Sequence, residues 1–216
     1  MDCRIIQVEQ GSDEWLDLRR TRITASRLAD VMAKKDTKRY TKYREEKVKE
    51  LLGHKNVEET PEWAQHGKEN EPRAMAAYEY KFGKAVEHDV FLIHKEYDWL
   101  SCSPDLLHLP NYDKGGEIKC RELYKNYRKF RQLAHDKEGT TNCLPASDRH
   151  QVQGAMWITG FRRWYYINYY IGSDLAGGMA QKIHRVAVPR NNDLIKLMEV
   201  RCLEFMKECY ERAGLA

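Results

Sequence analysis

Asp105, Glu117 and Lys119 are the residues whose types and spacing could carry out a reaction. The string runs Ser103-Pro104-Asp105, then eleven residues, then Glu117-Ile118-Lys119. Side chains alternate faces along a strand, so Glu117 and Lys119 project to the same side. A hairpin would fold Asp105 back beside them, bringing two carboxylates and an ammonium together at a sheet edge. That set suits phosphodiester hydrolysis. Hard Mg²⁺ or Mn²⁺ prefers carboxylate oxygens, and the Ile118 carbonyl could add a ligand. Such ions polarise the phosphoryl oxygen, supply a hydroxide nucleophile and stabilise the leaving oxygen. Lys119 would act as a base if a neighbouring cation depressed its pKa, and electrostatically otherwise. An ordinary hairpin with a surface salt bridge would show the same string, so the remaining residues must decide.

The elements that would position this trio can be read from periodicity and stop signals. Leu106–Leu109 and Gly116–Cys120 read as the hairpin strands, joined by residues 110–115. Ala85–His94 and Leu100–Ser103 read as strands before it. After an extended start, Ser12 caps a helix over Asp13–Arg20, with acids early and arginines late. Thr24 or Ser26 opens a helix through Ala33, and a basic helix over Tyr40–Leu52 stops at Gly53. Pro61 begins a helical region to Phe82, with a break expected at Gly67 and closure at Gly83. A basic helix spans Tyr124–Asp136, and 138–145 is a loop. Ser147 or Asp148 then caps a helix ending near Gly160. Arg162–Tyr170 and Ile183–Val188 read as strands, and Asn191–Ala213 as a final amphipathic helix. Helices flanking a mixed central sheet make the chain α/β, as one domain over residues 1–216.

Composition agrees with a globular domain: 216 residues, 42% hydrophobic, 32% charged and six prolines. The start MDCRIIQVEQ lacks a signal-peptide core, and no run approaches the ~20 apolar residues of a spanning helix. The chain is expected to stay where it is made, with no membrane partner. The six cysteines form no CxxC pair, so reduced thiols are expected and an iron–sulfur cluster is not. Net charge is only +4, but its distribution is uneven. Residues 34–50 hold eight basic side chains against four acids, and residues 119–137 hold seven against two. These would be two basic surfaces or solvated helix faces. The Arg162–Tyr170 strand, a mixture of arginines and aromatics, could stack bases, or simply pack a sheet.

Four blocks widen the case. They are Glu14-Trp15-Leu16-Asp17-Leu18-Arg19 with Ile23-Thr24-Ala25-Ser26; Gly67-Lys68-Glu69-Asn70-Glu71; Cys102-Ser103-Pro104-Asp105 with Glu117-Ile118-Lys119-Cys120; and Gln151 through Gly160. In this order the chain resembles the phage lambda exonuclease and YqaJ-type viral recombinase family of the PD-(D/E)xK nucleases. The resemblance implies a restriction-endonuclease-like core. It makes Asp105 and Glu117 the metal carboxylates and Lys119 the catalytic lysine. Glu71 would orient water or a metal ligand, and Gln151 would bind the scissile phosphate or water. Arg19, Ser26 and Ser103 would grip a terminal 5′-phosphate. Tyrosine often stands four positions after the glutamine in the wider superfamily; here that place is Ala155.

The activity implied is a Mg²⁺-dependent 5′-to-3′ exonuclease on double-stranded DNA, giving mononucleotides and a 3′ single-stranded tail. A homotrimeric ring, a single-strand annealing protein as partner, and a phage or prophage protein in the bacterial cytoplasm are also implied. An endonuclease of the same superfamily and a non-catalytic DNA-binding protein are the alternatives.

Overall fold

The computed structural model of the chain describes residues 3–55 and 62–215. Helices pack on two mixed sheets rather than on one continuous sheet. Strands β1 (Cys3–Gln7), β4 (Val90–His94), β5 (Leu100–Cys102) and β2 (Ile23–Thr24) form the first, in the order β1-β4-β5-β2. Strands β3 (Val86–Glu87), β6 (Leu106–His108), β7 (Gly115–Arg121), β8 (Arg163–Ser173) and β9 (Met179–Pro189) form the second in that order. Pairing is parallel at β2–β5 and β7–β8 and antiparallel elsewhere.

The expected strand over residues 85–94 is two strands in different sheets, and Asp89 explains the division. Its φ of 57° is left-handed, a conformation that Asp tolerates through local hydrogen bonds. Its carboxylate accepts from the Gln10 N–H at 3.0 Å, which holds the corner. The chain changes sheets again between β5 and β6, and Asp105 lies in that crossover.

Helix α1 (Asp13–Arg19) is capped by Ser12, whose Oγ accepts from the Trp15 N–H at 3.2 Å. The helix expected from Thr24 or Ser26 is a 3-10 turn, Ala25–Arg27, followed by a short α2 (Leu28–Val31). Helix α3 (Lys38–Leu51) starts two residues earlier than Tyr40, because Thr37 is its cap. Helix α4 (Glu62–Phe82) runs through Gly67 and Pro72 without a break. Pro61 lies outside the described residues. Helix α5 (Tyr124–Asp136) is as expected, and a 3-10 turn, Thr141–Cys143, sits in the loop after it.

Helix α6 (Ala146–Thr159) is preceded by Pro145, so neither Ser147 nor Asp148 caps it. Asp148 instead accepts from the Tyr166 hydroxyl. Gly160, left-handed at φ 75°, ends the helix. Helix α7 (Asn192–Ala213) is capped by Asn191, whose Oδ1 accepts from the Leu194 N–H at 2.9 Å. Among the described residues no helix is long and apolar enough to cross a membrane.

The main core gathers α2, α3, α6 and α7. Tyr43 stacks on Phe205 with ring centroids 5.2 Å apart, and burying a side chain such as Phe205 contributes about 1.5–3 kcal/mol. A second cluster, including Ala74, Tyr78, Leu106, Ile118 and Ile167, seats α4 on β6, β7 and β8. The β8 aromatics pack this interior: Trp164, Tyr166 and Tyr169 are buried. They offer no face to a nucleic-acid base.

Gly154 sets how closely α6 approaches α2. A Cβ there would lie 2.0 Å from Leu28 Cδ1, and Leu28 is fully buried. Alanine normally stabilises a helix interior relative to glycine by about 1 kcal/mol. Here overpacking of ~1–3 kcal/mol outweighs that gain. Gly154→Ala is expected to lower the melting temperature by ~3–6 °C, and adding Leu28→Ala should relieve part of the strain. An unchanged or higher melting point for Gly154→Ala alone would refute the close-packing argument.

Candidate active site

The antiparallel register of β6 and β7 pairs Leu106 with Gly116 and Leu107 with Gly115. Asp105, one residue before β6, is thereby brought next to Glu117. Strand β7 also lies tightly against β8: a Cβ on Gly115 would sit 2.4 Å from the Trp164 ring. Glycine at 115 is what lets the site strand approach its neighbour. Glu117 and Lys119 share a face, while the Ile118 side chain turns into the second core cluster.

Asp105 and Glu117 are nearly buried, 9% and 5% exposed. Asp105 Oδ2 accepts from the Ile118 N–H at 2.5 Å. Glu117 Oε1 accepts from Lys119 Nζ at 2.6 Å and from Gln151 Nε2 at 2.5 Å. Lys119 Nζ also reaches Gln151 Oε1, at 3.4 Å. Helix α6 thus delivers Gln151 onto the acid–lysine pair, and the sequence-derived trio converges.

Burial, then repulsion from Glu117 and Glu71, pushes the Asp105 carboxyl well above the usual range, against the pull of Lys119 and the Ile118 N–H. Glu71, on α4, is raised to about 7 by burial and by Glu117, with Lys119 opposing. For Lys119, burial favours the neutral amine, but Glu117 and Asp105 outweigh it, and its pKa is raised. The ammonium form is therefore held. In the metal-free chain Lys119 is thus a charged proton donor to Glu117.

Such a site lacks positive charge. Three acids repel one another around one ammonium, and the donors are hard oxygens, so the set fits a hard divalent cation. No group of three or more His, Cys, Asp or Glu among the described residues is already arranged around a metal position. Asp105 and Glu117 would be the protein carboxylates, with the Ile118 carbonyl and water completing the shell.

Arg19, Ser26 and Ser103 line the same cleft as Asp105, Glu71, Glu117, Lys119 and Gln151, a cavity of about 700 Å³. The Arg19 guanidinium lies 4.2 Å from the centre of the Trp15 ring. Trp15 Nε1 donates to Ser103 Oγ at 3.1 Å, and Ser103 donates onward to the Val90 carbonyl at 2.9 Å. Ser103 therefore ties α1 to β4. Ser26 is exposed, with its Oγ 3.1 Å from Thr24 Oγ1.

The sequence places neither Arg121 nor Asp148 in the site, yet both lie there. Arg121 donates to Asn168 Oδ1 at 2.7 Å and to the Tyr166 hydroxyl at 2.9 Å, and that hydroxyl donates to Asp148. Both line the cleft, and Asp148 adds to the forces holding Lys119 protonated. The signal was available for Arg121: it is two residues beyond Lys119, so strand alternation puts it on the same face.

The two basic stretches behave differently. In 34–50, Lys35 and Arg44 pair with Glu208, Arg39 with Asp30, Lys42 with Glu46 and Lys47 with Glu50. Much of that charge is neutralised within the fold. In 119–137, Lys125, Arg128, Lys129 and Arg131 remain exposed on α5.

Residues 14–162 match the YqaJ-like viral recombinase domain. No curated protein matches the chain. An alkaline exonuclease from Laribacter hongkongensis superposes with a TM-score of 0.76 at 23% identity, covering 94% of this chain and 95% of that one. The same enzyme in complex with dAMP gives 0.74 at 24% identity, with 94% and 95% covered. A phage related exonuclease from Haemophilus somnus gives 0.62 at 16% identity, with 88% and 94% covered. At these identities the likenesses establish the fold.

Proposed function

The chain belongs to the YqaJ-like viral recombinase family, and from that premise we propose that it is a Mg²⁺-dependent exonuclease that degrades one strand of double-stranded DNA. It starts at a 5′-phosphorylated end, releases 5′-mononucleotides and leaves a 3′ single-stranded tail for strand annealing. The observation that carries this reading is the closed contact set of Glu117, Lys119 and Gln151 beside Asp105.

Mg²⁺, with Mn²⁺ able to substitute, would supply Lewis-acid polarisation of the phosphate and a water acidic enough to attack. Asp105 and Glu117 would hold it, each already poised by a short hydrogen bond. Lys119 donates protons toward the reacting phosphate and offsets the negative charge that grows there. Gln151 fixes the Glu117 carboxylate and the Lys119 amine in register, and its amide can hold the water or a phosphate oxygen. Glu71, its carboxyl raised by burial and by Glu117, can orient the attacking water and take its proton as the new P–O bond forms.

End selection rests on Arg19 and Ser26 across the cleft, with Ser103 holding the tryptophan beneath Arg19. Losing one charge-assisted contact to phosphate removes about 1.5–3 kcal/mol. Arg19→Ala is therefore expected to slow initiation at 5′-phosphorylated ends by ~10-fold or more, and to leave 5′-hydroxyl ends little changed. Single-turnover digestion of the two duplexes measures this; equal loss on both would remove the end-recognition role.

We further place the chain in a homotrimeric ring, acting with a single-strand annealing protein in the bacterial cytoplasm as a phage or prophage product. Incubation of linear and covalently closed circular duplex with Mg²⁺ tests the reaction type. Linear DNA should disappear while the circle persists. Cleavage of the circle would instead indicate an endonuclease, and DNA bound but never cut would indicate a non-catalytic binder.

A further inference from the structure

A second concave surface lies behind α5, apart from the catalytic cleft. It is a groove of about 1380 Å³ between α4, α5 and β9. Lys81, Lys125, Arg128, Lys129, Arg131 and Lys182 line it, and all six are exposed. No acid lines the groove, and among the described residues none of these six forms an ion pair. The positive potential is felt inside: after burial, Arg131 and Lys81 help depress the His184 imidazole. A channel with such walls attracts a polyanion.

Two tyrosines separate the kinds of polyanion. Tyr80, on α4, is 94% exposed at the groove wall. Tyr124 opens α5 and is stacked on Tyr127 at 6.0 Å, which holds its ring in place. Aromatic faces beside a basic track bind unpaired bases, whose faces are open; paired bases in a duplex are already stacked. Helix α5 is also the partition between the two concavities. Asn126 lines the catalytic cleft, while its neighbours Lys125 and Arg128 line the groove. A strand that leaves the cleft over the first turn of α5 enters the groove directly.

We propose that this groove binds single-stranded DNA, with its phosphates on the α5 and β9 cations and a base on Tyr80. Resting on the nuclease reading, the occupant is the unpaired strand that digestion leaves behind. It is retained by the same protomer, on a surface that contains none of the catalytic residues.

The test is fluorescence anisotropy of labelled oligodeoxythymidine in EDTA, where hydrolysis plays no part. Lys125→Glu with Arg128→Glu should weaken binding at least 10-fold and reduce the dependence of log affinity on log salt by about one to two. The alanine pair at the same positions should weaken it less, which guards against misfolding by charge reversal; melting curves accompany each. Tyr80→Ala should cost ~5-fold or more. Affinity for a blunt duplex should change less than threefold in all of them. Oligodeoxythymidine affinity within twofold of wild type in the charge variants would overturn the site. Equal losses on duplex, or no effect of Tyr80→Ala, would overturn its single-strand character. The groove passing these tests in a chain that cuts no DNA would refute the nuclease reading alone.

Discussion

Lys119→Ala should reduce hydrolysis of linear duplex by ~10³-fold or more, the scale of losing a preorganised charge donor at a phosphoryl centre. Binding of the same DNA in EDTA should stay within a few-fold of wild type. The reason lies in the contacts. Lys119 Nζ is the proton donor to Glu117, and it is the nearest positive charge restraining three acids. Without it Glu117 keeps only the Gln151 amide. Arginine at this position should not rescue, since a planar fork cannot occupy the 2.6 Å contact in the same way. Initial rates on end-labelled duplex read the effect. Retention of more than a tenth of wild-type activity by the alanine variant would rule out the proposed role.

Asp105→Asn should abolish activity to a similar degree yet make the metal-free protein more stable at alkaline pH. Asparagine can still accept the Ile118 N–H, but it cannot ionise beside Glu117 and Glu71. The sign follows from linkage. The folded pKa of Asp105 lies well above its ordinary 3.8, and that of Glu71 rises from 4.5 to about 7. The folded chain therefore binds these protons more tightly than the unfolded chain. Stability from this site is greatest at acid pH and falls as pH climbs from about 4 through 7 and beyond. At pH near 8 the metal-free variant should melt several degrees above wild type. Near pH 5 the gap should narrow. Mg²⁺ should raise the wild-type melting point at the alkaline pH and act only weakly on the variant. A variant less stable than wild type at both pH values would mean that the carboxylates do not strain the fold.

The convergence of Asp105, Glu117 and Lys119 was legible because it depends on a period-two strand and one turn, both short-range. Asp105 meeting Glu117 needs only the pairing of Leu106 with Gly116. What depends on distant partners was not legible. Part of the charge of residues 34–50 is offset from outside the stretch, Lys35 and Arg44 by the distant Glu208 and Arg39 by Asp30. Local composition could not distinguish that stretch from α5, which keeps its charge. The division of the sheet at Asp89 turns on a single left-handed residue of a type common in ordinary loops. Asp148 was read as a helix cap from its position, but the Tyr166 hydroxyl competes for it from β8. The same β8 aromatics, ambiguous by composition, are settled by burial, and an isolated Tyr80 supplies the exposed ring instead.

The most direct measurement follows a duplex labelled at its 5′-phosphate, in Mg²⁺ and in EDTA. Labelled mononucleotide should be the first product in Mg²⁺, wild type alone should form it, and EDTA should prevent it. First release of label within a longer oligonucleotide, or equal digestion in EDTA, would contradict a cation-dependent site that works inward from a 5′ end.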